Sequence, residues 1–290
     1  IYDQRKFVNA LLGDVRQNAS VYYMSKPPVP ALLLKAMHVV KPTTILSVPL
    51  IIEKIYRNSI VPTIRKSRML SWMDKNMNWL MCKLIGLKLK KTFGGHLSFF
   101  GIGGAKLDIE VERFLLKAGF PYAVGYGLTE TSPLLSFTVG RSRFPGSIGV
   151  PVRNVELRLD NVNPETGEGE IVAKGPNVML GYYKDPERTR KAFTKDGWFR
   201  TNDLACLDEK GRYFIKGRLS NMILGASGEN IYPEEIEQVI NNIDDVNESI
   251  IIPRDGKLVA LVTFNENAID WNQEGEDEFF RKIEEYKSMI

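Results

Sequence analysis

The run DIEVERFLLKAGFPYAVGYG, Asp108 to Gly127, restricts the fold more than any other stretch of the chain. Its first half has the period of a helix, with Asp108 as N-cap, Val111, Phe114, Leu115 and Ala118 on one face, and Gly119 as a stop. Its second half, FPYAVGYG, reads as a strand running into a glycine turn. Upstream, TTILSVPLIIEKIY begins as a β-branched apolar run and becomes helix-like after Pro49. Strand, helix and strand in succession predict a parallel sheet, and in such sheets ligands sit at the carboxyl ends of the strands.

The expected fold class is therefore α/β in three parts. Residues 1–139 read as an incomplete parallel-sheet subdomain. Residues 140–217 change texture to short alternating segments: VELRLD returns as IVAKG, and DLACLDEKGRYFIKG turns at Asp208 to Gly211, which predicts a β-rich, barrel-like subdomain. Residues 218–290 open a small α+β domain. There Pro233 suits a first helical turn, Glu234 and Glu235 favour its dipole, and Ile236, Val239, Ile240 and Ile243 form one face. EDEFFRKIEEYKSMI at the end is also helix-like.

Composition narrows the function classes. Hydrophobic residues at 43% and charged residues at 26% exclude global disorder. A net charge of +4, from 39 basic and 35 acidic residues, is too small to argue for nucleic acid as a partner. Cys82 and Cys206 are far apart and the only histidines are His38 and His96, so a disulfide framework, a zinc site or a histidine-dependent triad lacks its parts. The expected setting is reducing and cytoplasmic. Lys35 interrupts ALLLKAMHVV and Pro49 interrupts ILSVPLII, so no apolar run reaches the roughly 20 residues of a membrane span. The start, IYDQRKF, leads us to expect a piece of a longer chain.

Chemistry concentrates in GYGLTETSPLLSF, Gly125 to Phe137, where a hydroxyl and a carboxylate, Thr129 and Glu130, follow two glycines. Taken alone, a plain turn between two strands fits this stretch as well. Three further stretches accompany it: GIGGAKL from Gly101, GWFRTND from Gly197, and GRLSNMILGASGENIYPEEIE from Gly217. In this order and at these separations the four resemble the adenylate-forming acyl-CoA synthetases, most closely the long-chain fatty-acid members. The resemblance runs through nearly all of residues 43–252, including GSIGVPV and GEIVAKGPNVMLGYYKDPERTRKAF.

That resemblance implies ATP, Mg2+ and coenzyme A as cofactor and co-substrates, with a fatty acid as substrate. The acid attacks the α-phosphate of ATP to give an acyl-adenylate and pyrophosphate, and the thiol of coenzyme A then displaces AMP. It further implies that Tyr126 packs against adenine, Thr129 hydrogen-bonds the phosphate and Glu130 holds Mg2+, with Gly127 among the glycines that let the nucleotide lie on bare backbone. Gly103, Gly104 and Ala105 match the stretch lining the adenine and acyl pocket. Asp203 matches the aspartate that accepts both ribose hydroxyls, Arg218 the arginine reaching the ribose and phosphate, and Gly228 a glycine near the coenzyme A channel. The family pattern before Asp203 has Gly where this chain has Asn202, and asparagine tolerates the left-handed conformation better than most residues. At the hinge about which the small domain turns, the family carries Asp or Lys where this chain has Ser220.

Two parts of the family pattern have no match: the Ser/Thr/Gly-rich phosphate loop and the late catalytic lysine. The chain by itself is expected to be inactive, and a sheet without its upstream strands is expected to self-associate. Residues 65–91 carry eight basic residues against one acidic, Asp74, with Trp72, Trp79 and a stripe through Met69, Met73, Leu80, Leu84 and Leu87. Two readings fit: a core-facing helix with a solvated basic face, which we carry forward, and an interfacial anchor giving peripheral contact with the inner face of a membrane. Two functional alternatives stand beside the ligase: another adenylating enzyme, such as a peptide-synthetase adenylation domain, and a non-catalytic nucleotide-binding module.

Overall fold

A computed structural model of the chain describes residues 20, 22, 30–138, 140–225, 230–241, 243, 246–254, 256–264 and 281. Gly228 and, apart from residue 281, the helix-like stretch 276–290 lie outside the described residues. Contacts divide the described chain into two units. One holds the residues up to Thr201 with Cys206–Ile215, and the other holds Asn202–Ala205 with the residues from Lys216 onward.

In the first unit, helix α1 (Pro30–Val40) leads to strand β1 (Thr44–Ser47). Pro49 has no N–H for a ladder and its ring presets a helical φ, so the strand gives way to α2 (Pro49–Ile55) there. A π-helical turn, Tyr56–Ile60, follows, and then α3 (Val61–Lys66), α4 (Arg68–Asn76) and α5 (Asn78–Thr92).

The stripe expected along residues 65–91 does not form. Ser67 is extended (φ −98°, ψ 112°) with its hydroxyl capping α4, and Met77 breaks the chain again (φ −140°, ψ 45°). Each break resets the angular phase. The core-facing residues are Met73 in α4 and Met81, Cys82, Ile85 and Leu89 in α5, while Met69, Leu84 and Leu87 are exposed.

Strand β2 (Phe99–Gly103) follows, and helix α6 (Ile109–Lys117) and strand β3 (Tyr122–Gly127) form as the sequence predicts. The Asp108 carboxylate accepts from the backbone N of Glu110 (2.8 Å) and Val111 (3.0 Å), and Val111, Phe114, Leu115 and Ala118 are all buried. Phe93, Phe100 and Phe120 form a triangle of rings beneath the sheet, with centroids 5.4 to 6.0 Å apart. Each such contact stabilises by about 1 kcal/mol beyond the area buried. Strands β1, β2 and β3 pair in parallel, and β4 (Leu134–Phe137) and β5 (Val150–Pro151) extend the sheet antiparallel in the order β1-β2-β3-β4-β5.

A second sheet has the order β6 (Glu156–Asp160), β7 (Gly169–Lys174), β8 (Phe199–Leu207) and β9 (Tyr213–Arg218), with α7 (Pro186–Lys191) between β7 and β8. The barrel-like expectation is corrected here: among the described residues this sheet is open. The outer edge of β9 is taken by Ser147 and Ile148, whose bridge to Phe214 and bond from Ile148 N to Tyr213 O (3.0 Å) occupy the groups that closure onto β6 would need.

The second unit contains the short pair β10 (Ile223–Leu224) and β11 (Asn230–Ile231), helix α8 (Pro233–Ile240), and the hairpin β12 (Val246–Arg254) and β13 (Lys257–Phe264). The α8 face is narrower than expected. Ile240 is buried but Val239 is 52% exposed: α8 lies against β12, and among the described residues the β12–β13 sheet has two strands and does not cover that flank.

Candidate active site

Within the first unit the parallel register sets the carboxyl ends of β2 and β3 side by side, with Gly103 opposite Gly125. A Cβ on Gly103 would stand 3.2 Å from Gly125 O, so the small residue lets the two ends approach. Gly104 then turns through φ +91° with nothing within 4 Å of where a Cβ would be, and Ala105 is exposed. Asp108 N is held 2.9 Å from Glu53 Oε1, fixing the chain as it enters α6. Burial, offset by that backbone bond, holds the Glu53 carboxyl above the ordinary carboxylate range.

Tyr126 is buried near the end of β3. Beyond it the chain makes a 3-10 turn, Thr129–Thr131, passes through Ser132 in the left-handed region (φ 56°) and returns as β4. Gly127 has a reason internal to the fold: a Cβ there would lie 1.7 Å from Pro133 O. The close approach it permits is to the chain's own backbone across the turn.

Several side chains hold this turn. Thr131 Oγ1 accepts from Leu128 N (3.0 Å) and donates to Pro133 O (2.6 Å). The Asn177 amide donates to Thr131 O and Leu134 O, both at 2.8 Å. Glu130 is fixed at both ends: its carbonyl accepts from Met179 N (2.8 Å), and its Oε1 accepts from the Tyr182 hydroxyl (3.1 Å). Burial first, then the Glu130 charge and hydrogen bond, push the Tyr182 phenol above its ordinary value, which keeps it a donor. The Arg188 guanidinium lies 4.2 Å from the centre of the Tyr182 ring. Thr129 is exposed at the tip and Glu130 half-buried, so the turn offers a hydroxyl and an oriented carboxylate.

In the second unit Asp203 is 5% exposed and its Oδ1 lies 3.1 Å from Arg218 Nε. Asn202, before it, sits at φ +64°, the conformation for which the family pattern has glycine. Its side-chain amide donates to Ser220 Oγ (2.9 Å), and its carbonyl accepts from Leu219 N (2.9 Å). Ser220 Oγ donates in turn to Asn221 Oδ1 (3.1 Å), whose amide reaches Glu234 Oε1 (2.7 Å). The two departures from the family pattern thus contact each other.

The structure brings Gly103, Gly104, Ala105, Tyr126, Gly127, Thr129 and Glu130 to the ends of two adjacent strands of the first unit, and pairs Asp203 with Arg218 in the second. Thr131, Asn177 and Tyr182 were not singled out from the sequence. Only the long matching stretch around GPNVMLGYY pointed near the last two. Among the described residues no group of three or more His, Cys, Asp or Glu could hold a metal by itself. A single oriented carboxylate nevertheless suits Mg2+, which proteins bind through one or two carboxylates plus phosphate oxygens of the substrate.

Residues 7–183 match the family model described as AMP-binding enzyme. The chain is 29% identical over 265 residues to the long-chain-fatty-acid–CoA ligase FadD15 of Mycobacterium bovis, covering 83% of this chain and 43% of that protein. It is 41% identical over 158 residues to the long-chain-fatty-acid–CoA ligase of Escherichia coli O6:H1, covering 53% and 28%. Among solved structures it superposes on ATP-bound MatB from Rhodopseudomonas palustris with a TM-score of 0.62 and 29% identity, over 88% of this chain and 47% of that one. The chain thus spans less than half the length of each.

Proposed function

The chain belongs to the family of AMP-binding enzymes, and from that membership we propose that it supplies nucleotide-binding parts of an ATP-dependent acid–CoA ligase acting on long-chain fatty acids. The observation that carries the reading is the turn after β3, where Thr129 is exposed and the Glu130 carboxylate is oriented by Tyr182 and Met179. The names of the Mycobacterium bovis and Escherichia coli relatives support a long-chain acid and coenzyme A as substrates.

In this reading the fatty-acid carboxylate attacks the α-phosphate, and pyrophosphate leaves. The Thr129 hydroxyl donates to a phosphate oxygen as charge builds on it, a contact stronger in the transition state than in the ground state. Glu130 holds Mg2+, which supplies charge neutralisation on the phosphates when bound. Tyr126 lies against the base. Asp203 accepts from the ribose hydroxyls, and its four lone-pair sites allow it to keep Arg218 at the same time. Coenzyme A then attacks the acyl carbonyl through its thiol sulfur, and AMP leaves.

Fatty-acid-dependent exchange of radiolabelled pyrophosphate into ATP by the intact protein tests the adenylation half. The expected result is exchange only when a long-chain acid is present, falling about 100-fold in Thr129→Ala and lost in Asp203→Ala. Exchange indifferent to the acid, or to both substitutions, would contradict the proposal.

A further inference from the structure

We propose that the outer face of α5 forms a docking surface for an anionic lipid bilayer. On α5 the residues Trp79, Lys83, Leu84, Leu87, Lys88 and Lys91 are all exposed, and at 100° per residue they fall within one half of the helix cylinder. Trp79 is 58% exposed and Leu87 67%. These are not core residues left unpacked. The opposite face of α5 is already seated, with Met81, Cys82, Ile85 and Leu89 each 8% exposed or less. The helix therefore has one apolar face that the fold uses and a second, exposed face on which Trp79, Leu84 and Leu87 stand among lysines.

The charge around the second face selects its occupant. Helix α5 carries Lys83, Lys88, Lys90 and Lys91 and no acidic residue, so a positively charged or neutral surface gains nothing there, whereas an anionic one gains with each lysine near it. Exposed tryptophan and leucine between the lysines argue for lipid over nucleic acid: the apolar side chains enter the headgroup boundary while lysine stems reach back to phosphates. Lys83 Nζ lies 5.1 Å from the Trp79 ring centre, so the cation and the indole are presented together. At 15 residues α5 is shorter than the roughly 20 that a membrane span needs, so its contact lies in the plane of the surface. None of these side chains belongs to the site described above, so lipid binding and adenylation can be read separately.

Flotation of the intact protein with vesicles of phosphatidylglycerol or of phosphatidylcholine, at low and high salt, tests the proposal. The expected result is binding to phosphatidylglycerol at low salt, its loss at high salt and none to phosphatidylcholine. Lys83→Gln with Lys88→Gln should weaken partitioning about 25-fold, about fivefold per lysine. Trp79→Ser should weaken it as well, with pyrophosphate exchange in solution and the melting temperature unchanged in both variants. Failure of the intact protein to float with phosphatidylglycerol at low salt would overturn the proposal, as it would if another protein segment covered the face. So would flotation undiminished in the variants, or equal retention of duplex DNA at the salt where vesicles bind.

Discussion

Gly127→Ala should be among the most damaging single-methyl changes in the chain, and the reason is purely steric. Gly127 does not have a positive φ, so alanine is allowed by its own backbone; the obstacle is Pro133 O, 1.7 Å from the new Cβ. The carbonyl must retreat by more than an ångström before the contact becomes tolerable. That movement breaks the Thr131 Oγ1 to Pro133 O bond at 2.6 Å and strains the adjacent Asn177 bond to Leu134 O at 2.8 Å. Two hydrogen bonds at about 1 kcal/mol each, with about 1–3 kcal/mol of overpacking strain, give a loss of about 3–5 kcal/mol. For a unit of this size the thermal midpoint should fall by about 10 °C. Gly104→Ala is the control: the same methyl meets open space and bears only the left-handed backbone cost (φ +91°), about 1–2 kcal/mol. Differential scanning calorimetry on both variants reads the difference. Equal midpoints, or a Gly127→Ala protein as stable as the parent, would refute the steric argument and with it the geometry assigned to the turn carrying Thr129 and Glu130.

Tyr182→Phe removes the hydroxyl that orients Glu130, so the Mg2+ concentration needed for half-maximal pyrophosphate exchange should rise severalfold while the melting temperature changes little; an unchanged Mg2+ dependence would remove Tyr182 from the site. Glu112 is 1% exposed, and burial, against bonds from Gly146 N (2.7 Å) and Tyr122 OH (3.2 Å), holds its carboxyl above the ordinary range. A raised folded-state value means that its contribution to stability is complete below the unfolded value and is lost as pH rises through the folded one. The stability advantage of the parent over Glu112→Gln should therefore shrink with increasing pH across that window, and an advantage that grows would contradict the assignment. Asn202→Ala should cost about 2 kcal/mol, from a left-handed φ and one lost hydrogen bond, and Asn202→Gly less, because glycine accepts φ +64° freely; urea unfolding that ranks them the other way would refute this.

What the sequence made legible was local. The cap at Asp108, the buried face of α6 and the arrival of β3 at a glycine turn follow from neighbours within one or two turns of chain, and all three appear in the structure. Residues 65–91 misled because apolar side chains occupy both faces of α5: periodicity shows that faces exist and not which one the core takes. The breaks at Ser67 and Met77 then shift the phase. Nothing in a linear reading places Pro133 O against Gly127. Tyr182 and Asn177 bond partners 52 and 46 residues away, a distance over which one sequence carries no pattern. Closure of the second sheet was likewise undecidable from alternation alone, because the edge of β9 is claimed by Ser147 and Ile148, more than sixty residues upstream.

Whether these strand ends serve fatty-acid activation is tested most directly by mass spectrometry of the products formed by the intact protein from ATP, Mg2+, coenzyme A and acids ranging from acetate to oleate. The 290-residue chain by itself serves as the comparison. Coenzyme A thioesters of the longer acids, with AMP formed in equal amount, are the predicted result. If no acid yields a thioester, the ligase reading is contradicted.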